Sequence, residues 1–353
     1  MSPGRIPTKP LIQGNIDLFQ PVAPGQGQLA GWLFREDIPF DTIDITLKNK
    51  PWVSGLRLQR RPDVQAAFEP LIGACPSLVS CGFDVTAPLP DGITAGPETL
   101  IQIAPILPAG LRLDPLLTYY CAYQDELERV PQPPALLQER VGGSKDFLSV
   151  GVHAASLVMT CVAKFKPDFQ AGIILDWGCG CGRIISQLKK FVPPGNLYGC
   201  DIDSSAIEWD LQNIPEAKFL RVRPYPPTPY ADRSFDVIYG ISVMTHLDED
   251  TQILWLKELQ RIARSGAILA LSVIGERLRK TNMPPSLKRQ FDDNGFVAFV
   301  PPYSDMLSAF SHQGYYKEAY HTVDYIAETW GRYFEVLEYV ETKHQDIVIL
   351  RAP

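Results

Sequence analysis

Ile174-Leu175-Asp176-Trp177-Gly178-Cys179-Gly180-Cys181-Gly182-Arg183 runs from an apolar strand through three alternating glycines into a helix. Glycine lets a backbone turn tightly and approach a ligand where a Cβ would collide. The helix that follows opens with unpaired N–H groups and a partial positive charge. Nineteen residues beyond Gly182, the next strand ends at Cys200-Asp201, close to the spacing at which an acid accepts hydrogen bonds from ribose hydroxyls. A glycine loop alone reads equally well as a tight turn. Loop, strand, helix and spaced acid together predict a cofactor that contains a nucleoside. Dinucleotide sites use G-x-G-x-x-G, whereas here Arg183 stands where that pattern places its third glycine. The spacing therefore counts against a nicotinamide or flavin.

Outward from this loop, helix and strand alternate. Strands are expected at 173–176, 196–201, 218–222, 235–243 and 267–274, with helices at 183–191, 204–211 and 250–263 between them. Upstream, Phe147, Leu148, Val150, Val152, Leu157, Val158 and Val162 fit a largely buried helix. Such alternation predicts a parallel sheet with helices on both faces. The tail departs from it. A helix at 323–333 precedes extended runs at 334–340 and 346–350, whose short connection favours an antiparallel pair.

Residues 14–110 read differently. Short alternating segments at 28–34, 42–47, 80–85 and 99–103 lie between turn-rich gaps, the pattern of a small β-sandwich. This part has no histidine and no dense polar constellation, so it reads as a packing or recognition module. Residues 1–13 form a tail. Residues 111–144, with Pro115, Pro131, Pro133, Pro134 and Gly142-Gly143 around one helical patch at 135–140, have the composition of a linker. The α/β domain is expected over 145–353.

The 353 residues, 45% hydrophobic, suffice for more than one buried core. With 33 basic and 40 acidic residues, the net charge of −7 argues against nucleic-acid binding. Seven cysteines, an odd number and scattered apart from Cys179 and Cys181, fit neither a disulfide framework nor a zinc ribbon. No signal-peptide core and no membrane-spanning run is apparent, so the expectation is a cytoplasmic protein without a membrane partner. The oligomeric state is left open.

The glycine loop resembles the first motif of the class I S-adenosylmethionine-dependent methyltransferases, acid-x-Gly-x-Gly-x-Gly. The resemblance covers roughly 145–353. It implies a Rossmann-like α/β domain of seven strands with an antiparallel last strand, matched here by 346–350, and S-adenosyl-L-methionine as cofactor. Asp176 then matches the acid near the methionine end. Gly178, Gly180 and Gly182 approach the cofactor through backbone, Asp201 matches the ribose-binding acid, and Ile202 lies beside it. Many members place an acid after the third strand to hold the adenine amino group, but here the sequence is Arg223-Pro224-Tyr225-Pro226-Pro227. Asp232 is the nearest substitute. In the N-terminal part, Gly31-Trp32, Arg61-Pro62-Asp63-Val64 and Cys81-Gly82-Phe83 resemble β-sandwich modules found beside bacterial glycosyltransferases and glycan-modifying enzymes.

Methyl transfer from a sulfonium is a direct displacement, so a hydroxyl acceptor also needs a base. Histidine suits that role. In an open parallel sheet ligands bind at the carboxyl ends of the strands, which brings forward His246 after the fourth strand, His321 before the tail helix and His344 before the last strand. Their plain readings are a helix cap, a helix N-terminal residue and a turn residue bonded to Asp346. Asp248, Glu249 and Asp250 read as an acidic helix start rather than a metal site. Residues 276–320 form a long connection, a candidate substrate lid, with Arg277, Arg279, Lys280, Lys288 and Arg289 followed by Phe291, Phe296, Phe299, Tyr303, Tyr315 and Tyr316.

The expectation is therefore O-methylation of a glycan or other polyhydroxylated small molecule. The alternatives are a nicotinamide-dependent oxidoreductase using the same loop and a non-catalytic protein that keeps the cofactor fold.

Overall fold

The computed structural model describes residues 6–122, 130–142, 147–278, 283–301 and 314–353. Gly143 and Lys145, and Arg279, Lys280 and Tyr303 of the expected lid, lie outside the described residues. The chain divides into two compact units. One holds Pro10–Val130 with Val152–Thr160, the other the residues up to Lys9 with Pro131–Gly151 and Cys161–Pro353.

Strand β1 (Thr8–Pro10) precedes the first unit's strands. That unit is antiparallel throughout. β2 (Gln13–Ala23), β3 (Gln26–Phe34) and β6 (Gly82–Pro88) form one sheet in the order β2-β3-β6. β4 (Thr42–Leu47), β5 (Lys50–Arg57), β7 (Ile101–Ile106) and β8 (Leu116–Thr118) form another in the order β5-β4-β7-β8. Alternation explains their shared core. Ile43, Ile45 and Leu47 turn inward from β4 and Leu29 and Leu33 from β3, and all pack in a single cluster with Phe19 and Ile103. A helix at Pro62–Ile72, opened by Pro62 in its first turn, buries Val64 against Phe34 and Cys81.

The second unit is built on one large sheet. Its strands are β9 (Ile174–Trp177), β10 (Leu197–Asp201), β11 (Lys218–Arg221), β12 (Phe235–Gly240), β13 (Ala263–Val273), β16 (Glu335–Glu341) and β17 (Asp346–Arg351). Their order is β16-β17-β13-β12-β9-β10-β11, with β1 added beyond β16 as an eighth strand. β9 to β13 pair in parallel, while β17 is antiparallel to both β13 and β16. Order and direction together are those of the class I methyltransferase fold. The central strands read ILDW, FDVIYG and AILALSV because helices cover both faces. The helix Glu249–Ile262 contributes Trp255, Leu256, Leu259 and Ile262 to the core.

Two local features differ from the pattern read in the sequence. The segment after the glycine loop is a regular helix only over Ile185–Leu188. Within 276–320, β14 (Phe296–Phe299) and β15 (Glu318–His321) pair antiparallel, preceded by a helix at Lys288–Asn294. No helix among the described residues is long and apolar enough to cross a membrane.

Candidate active site

The topological switch lies between β9 and β12, where strand order reverses, and the glycine loop starts there. Gly178, Gly180 and Gly182 have φ of 77°, 55° and 69°, a region L side chains enter at a cost. Space forbids a side chain as well. A Cβ would stand 2.3 Å from Val243 at Gly178, 2.4 Å from Val141 at Gly180 and 2.3 Å from Ile214 at Gly182. The N–H groups of Gly178 and Cys179 donate to the Cys200 carbonyl at 2.8 and 3.1 Å, which fastens the loop to the end of β10.

Asp201 has a second task that the spacing argument missed. Its Oδ2 accepts the Gly180 N–H and its Oδ1 the Asp203 N–H, both at 2.8 Å. The carboxylate keeps acceptor capacity for a ligand hydroxyl. Burial raises its pKa from the ordinary carboxyl value.

Asp176 is buried and accepts the Tyr239 hydroxyl at 2.9 Å. Burial pushes its pKa up to about 8, with the nearby Asp201 adding to the effect and the Tyr239 bond opposing it. Arg183 faces this acid electrostatically, and burial lowers its pKa. Its Nε is buried without a partner among the described residues. Behind the loop, fully buried Asp210 accepts from the Cys179 thiol at 3.7 Å, and burial raises it to about 9.

These groups border a cavity of about 440 Å³, of a size that suits a small cofactor and part of an acceptor. Asp176, Gly178, Gly180, Asp201 and Ile202 line it, whereas Gly182 does not. So do residues read above as linker. Leu137 and Glu139 to Gly142 form one wall, with Val141 against Gly180 and Arg140 paired to Asp203 at 2.8 Å. Proline-rich composition hid that role, since only the six residues Ala135–Arg140 are helical.

At the end of β11 the missing acid is replaced by an apolar and aromatic wall. Val222, Trp255 and Tyr315 line the cavity. The Pro224 carbonyl accepts from the Tyr315 hydroxyl at 2.6 Å and from Trp255 Nε1 at 3.2 Å. Asp232 is instead paired with Arg261 at 2.6 Å and does not line the cavity.

Of the three histidines, the structure brings only His246 to the cavity. It follows β12 on a short 3₁₀ turn, Met244–His246. Its Nδ1 lies 3.0 Å from the Lys317 carbonyl. A carbonyl only accepts, so Nδ1 carries the proton and Nε2 presents its lone pair. Burial lowers the pKa of His246, so the ring is neutral at pH 7. Tyr316 meets the ring edge-on at 5.8 Å and lines the same cavity.

His321 sits elsewhere. It is fully buried on β15 among Phe296, Tyr325 and Trp330, with Nε2 at 3.0 Å from Gln252 Oε1. Burial pushes its pKa down to about 3, and it acts as a core residue. His344 is exposed in the turn before β17, its N–H on Thr342 Oγ1 at 3.1 Å. Asp248 caps the helix Glu249–Ile262 through the Thr251 N–H, and Glu249 accepts from Tyr325. Among the described residues, no group of three His, Cys, Asp or Glu could hold a metal ion.

Sequence reasoning missed a polar chain across three strand ends. Ser242 follows β12, Ser272 lies in β13 and Gln345 precedes β17. They are joined by hydrogen bonds of 2.7 Å between Ser242 N–H and Ser272 Oγ, Ser272 Oγ and Gln345 Oε1, and Gln345 Nε2 and Ser242 Oγ. Among the described residues, Ser242 is one of four non-glycine residues with positive φ, at 61°. Such strain persists where surroundings impose it, and it concentrates at functional sites.

Residues 175–271 match the family described as methyltransferase domain. A ribosomal protein L11 methyltransferase from Burkholderia thailandensis is 36% identical over 84 residues, 24% of this chain and 26% of that protein. The chain thus matches about a quarter of that relative's length. Two solved structures are similar at low identity. One is a 1,6-didemethyltoxoflavin-N1-methyltransferase from Burkholderia thailandensis with bound 1,6-didemethyltoxoflavin and S-adenosylhomocysteine (11% identity, TM-score 0.41, 71% of this chain and 95% of that one). The other is a magnesium protoporphyrin IX methyltransferase from Synechocystis PCC 6803 with bound S-adenosylhomocysteine (16%, 0.39, 65% and 94%).

Proposed function

We propose that the second unit, whose residues 175–271 match a methyltransferase domain and whose sheet order is that of the class I fold, is S-adenosylmethionine-dependent, and that the chain O-methylates a hydroxyl on a glycan or other polyhydroxylated small molecule. The observation that carries the oxygen chemistry is a neutral His246, its Nδ1 held by the Lys317 carbonyl, that lines the same cavity as the glycine loop and Asp201.

The residues present fit the cofactor. Gly178 and Gly180 border the cavity with bare backbone, and Asp201 keeps acceptor capacity for ribose hydroxyls. Asp176 suits an ammonium group, since a cation beside it returns its raised pKa toward the ordinary range. Val222, Trp255 and Tyr315 offer apolar surface for a purine. When bound, S-adenosylmethionine supplies a methyl group on sulfonium, ready for direct displacement.

The rest is alignment and proton removal. His246 takes the acceptor's hydroxyl proton at Nε2, and the Lys317 carbonyl at Nδ1 stabilises the resulting imidazolium. Glu318, next in sequence, adds a favourable charge. Seven cysteines without a disulfide among them support the cytoplasm as its compartment.

The test has two stages. Calorimetric titration with S-adenosylhomocysteine, against a reduced nicotinamide dinucleotide as control, should give saturable binding of the first alone. Transfer of labelled methyl from the cofactor across a panel of hydroxylic, amine and thiol acceptors then follows. Transfer confined to amines or thiols would refute the oxygen assignment.

A further inference from the structure

Resting on that reading, we infer that Ser242 and Gln345 are the positioning residues for the acceptor: two converging hydrogen-bond donors that hold an uncharged oxygen next to the reacting hydroxyl. The enzyme's acceptor is then a neutral vicinal diol or hydroxy-carbonyl compound.

Hydrogen-bond accounting identifies the donors. Ser272 accepts the Ser242 N–H, so its own proton goes to Gln345. This turns Gln345 Oε1 toward Ser272 and leaves Nε2 toward Ser242 and the cavity. Nε2 has two N–H groups and makes one bond among the described residues, to Ser242 Oγ at 2.7 Å. The Ser242 hydroxyl donates to Gln345 Oε1 at 3.0 Å. That oxygen already holds Ser272 at 2.7 Å, so the Ser242 proton can leave it without stranding a buried group. Ser242 and Gln345 both line the cavity, while Ser272 behind them is completely buried. One O–H and one N–H are thus available to a ligand from a pair fixed by its own support.

Placement follows from the sheet. β12, β13 and β17 are adjacent, and Ser272 pairs in register with Ile347, two residues beyond Gln345. Val243, next to Ser242, touches the space over Gly178, and His246 lies four residues on. The donor pair therefore flanks the base beside the glycine loop. Donors aimed at the attacking oxygen would hold back the lone pair it must use, so their productive partner is a neighbouring oxygen.

Charge decides the class. At this end the described lining consists of Ser242, Val243, His246, Leu247, Tyr316 and Gln345, none formally charged at pH 7. The ionisable lining residues Glu139, Arg140, Asp176, Arg183, Asp201 and Asp203 belong to the glycine-loop side. Among the described lining residues a carboxylate, phosphate or ammonium next to His246 would find no counter-charge, and Glu318, whose charge reaches His246, does not line the cavity.

Crystals loaded with S-adenosylhomocysteine and soaked separately in methyl α-glucoside and in acetate test this. The expected result is a sugar hydroxyl within hydrogen-bond distance of both Ser242 Oγ and Gln345 Nε2, with acetate absent from that position. Gln345→Glu keeps an oxygen for Ser272 but removes the N–H donors. It should lose the sugar while binding S-adenosylhomocysteine within about twofold of the parent, and Gln345→Leu should do the same. Sugar lodged elsewhere or nowhere, acetate in its place, or a Gln345→Glu site that still holds the sugar overturns the inference. Failure of the parent protein to bind S-adenosylhomocysteine would instead strike the cofactor assignment.

Discussion

His246 Nδ1 and the Lys317 carbonyl oxygen stand 3.0 Å apart across 71 residues of sequence, and the Lys317 N–H returns to the His246 carbonyl at 3.0 Å. This reciprocal clasp fixes both the ring and its tautomer. His246→Gln should lower turnover by roughly 10²- to 10⁴-fold, the usual worth of a general base, and leave affinity for S-adenosylhomocysteine unchanged. Equal loss of both would make His246 a structural residue only.

As the proposed base, the same histidine should set an acid limb. Its pKa is lowered by burial, so the neutral base persists down to pH values below the usual imidazole range near 6.5. Turnover should be flat through pH 7 and fall as pH drops through the lowered pKa. A pH–rate profile whose acid limb lies above pH 7 contradicts this assignment.

Asp201 joins two elements, accepting from Gly180 and from Asp203. Asp201→Asn loses the charge and one acceptor oxygen. Hydrogen bonds to charged groups contribute about 1.5–3 kcal/mol, so calorimetry should show cofactor affinity reduced roughly ten- to a hundredfold. Wild-type affinity in the variant would remove Asp201 from the ribose site.

Gly182→Ala places a Cβ 2.3 Å from Ile214 Cδ1 on a backbone with φ of 69°. Left-handed strain alone costs about 1–3 kcal/mol, and the contact adds to it. The melting temperature should drop by several degrees. Gly195→Ala, at φ of 88° with open space around it, carries the strain without the contact, so the difference between the two variants isolates the steric part.

Asp210 makes stability depend on pH. Its folded pKa is about 9, against about 3.9 for a free aspartate, so folding takes up a proton between these values. Its contribution is complete below pH 3.9 and is lost as pH rises through 9, at about 1.4 kcal/mol per unit. Asp210→Asn removes that slope and should be more stable than the parent at pH 8. Denaturant titrations at pH 5 and pH 8 measure the difference directly.

The parts of this protein legible in its sequence are those written in local periodicity. The strand and loop at Ile174 to Gly182 show their geometry through residue types that no other backbone would require. The last two strands were legible because their connection is too short for a crossover. His321 was misleading because it directly precedes a helix, which suggested the ligand-binding edge. Antiparallel pairing of β15 with β14 instead carries it into the core. Residues 137–142 were hidden by the prolines before them, whose composition resembles any linker. Ser242, Ser272 and Gln345 give no signal at all, being three common polar residues over 103 positions, brought together only by sheet order.

β1 pairs at the edge of the large sheet beside β16, with the Tyr339 N–H on the Pro7 carbonyl at 2.9 Å and Lys9 on Glu338 at 2.9 Å. During synthesis, residues 7–9 leave the ribosome more than 320 residues before their partners 338 and 339. The eighth strand therefore cannot dock cotranslationally until residues 338 and 339 have been made, and this edge of the sheet is closed by a segment translated long before its partner.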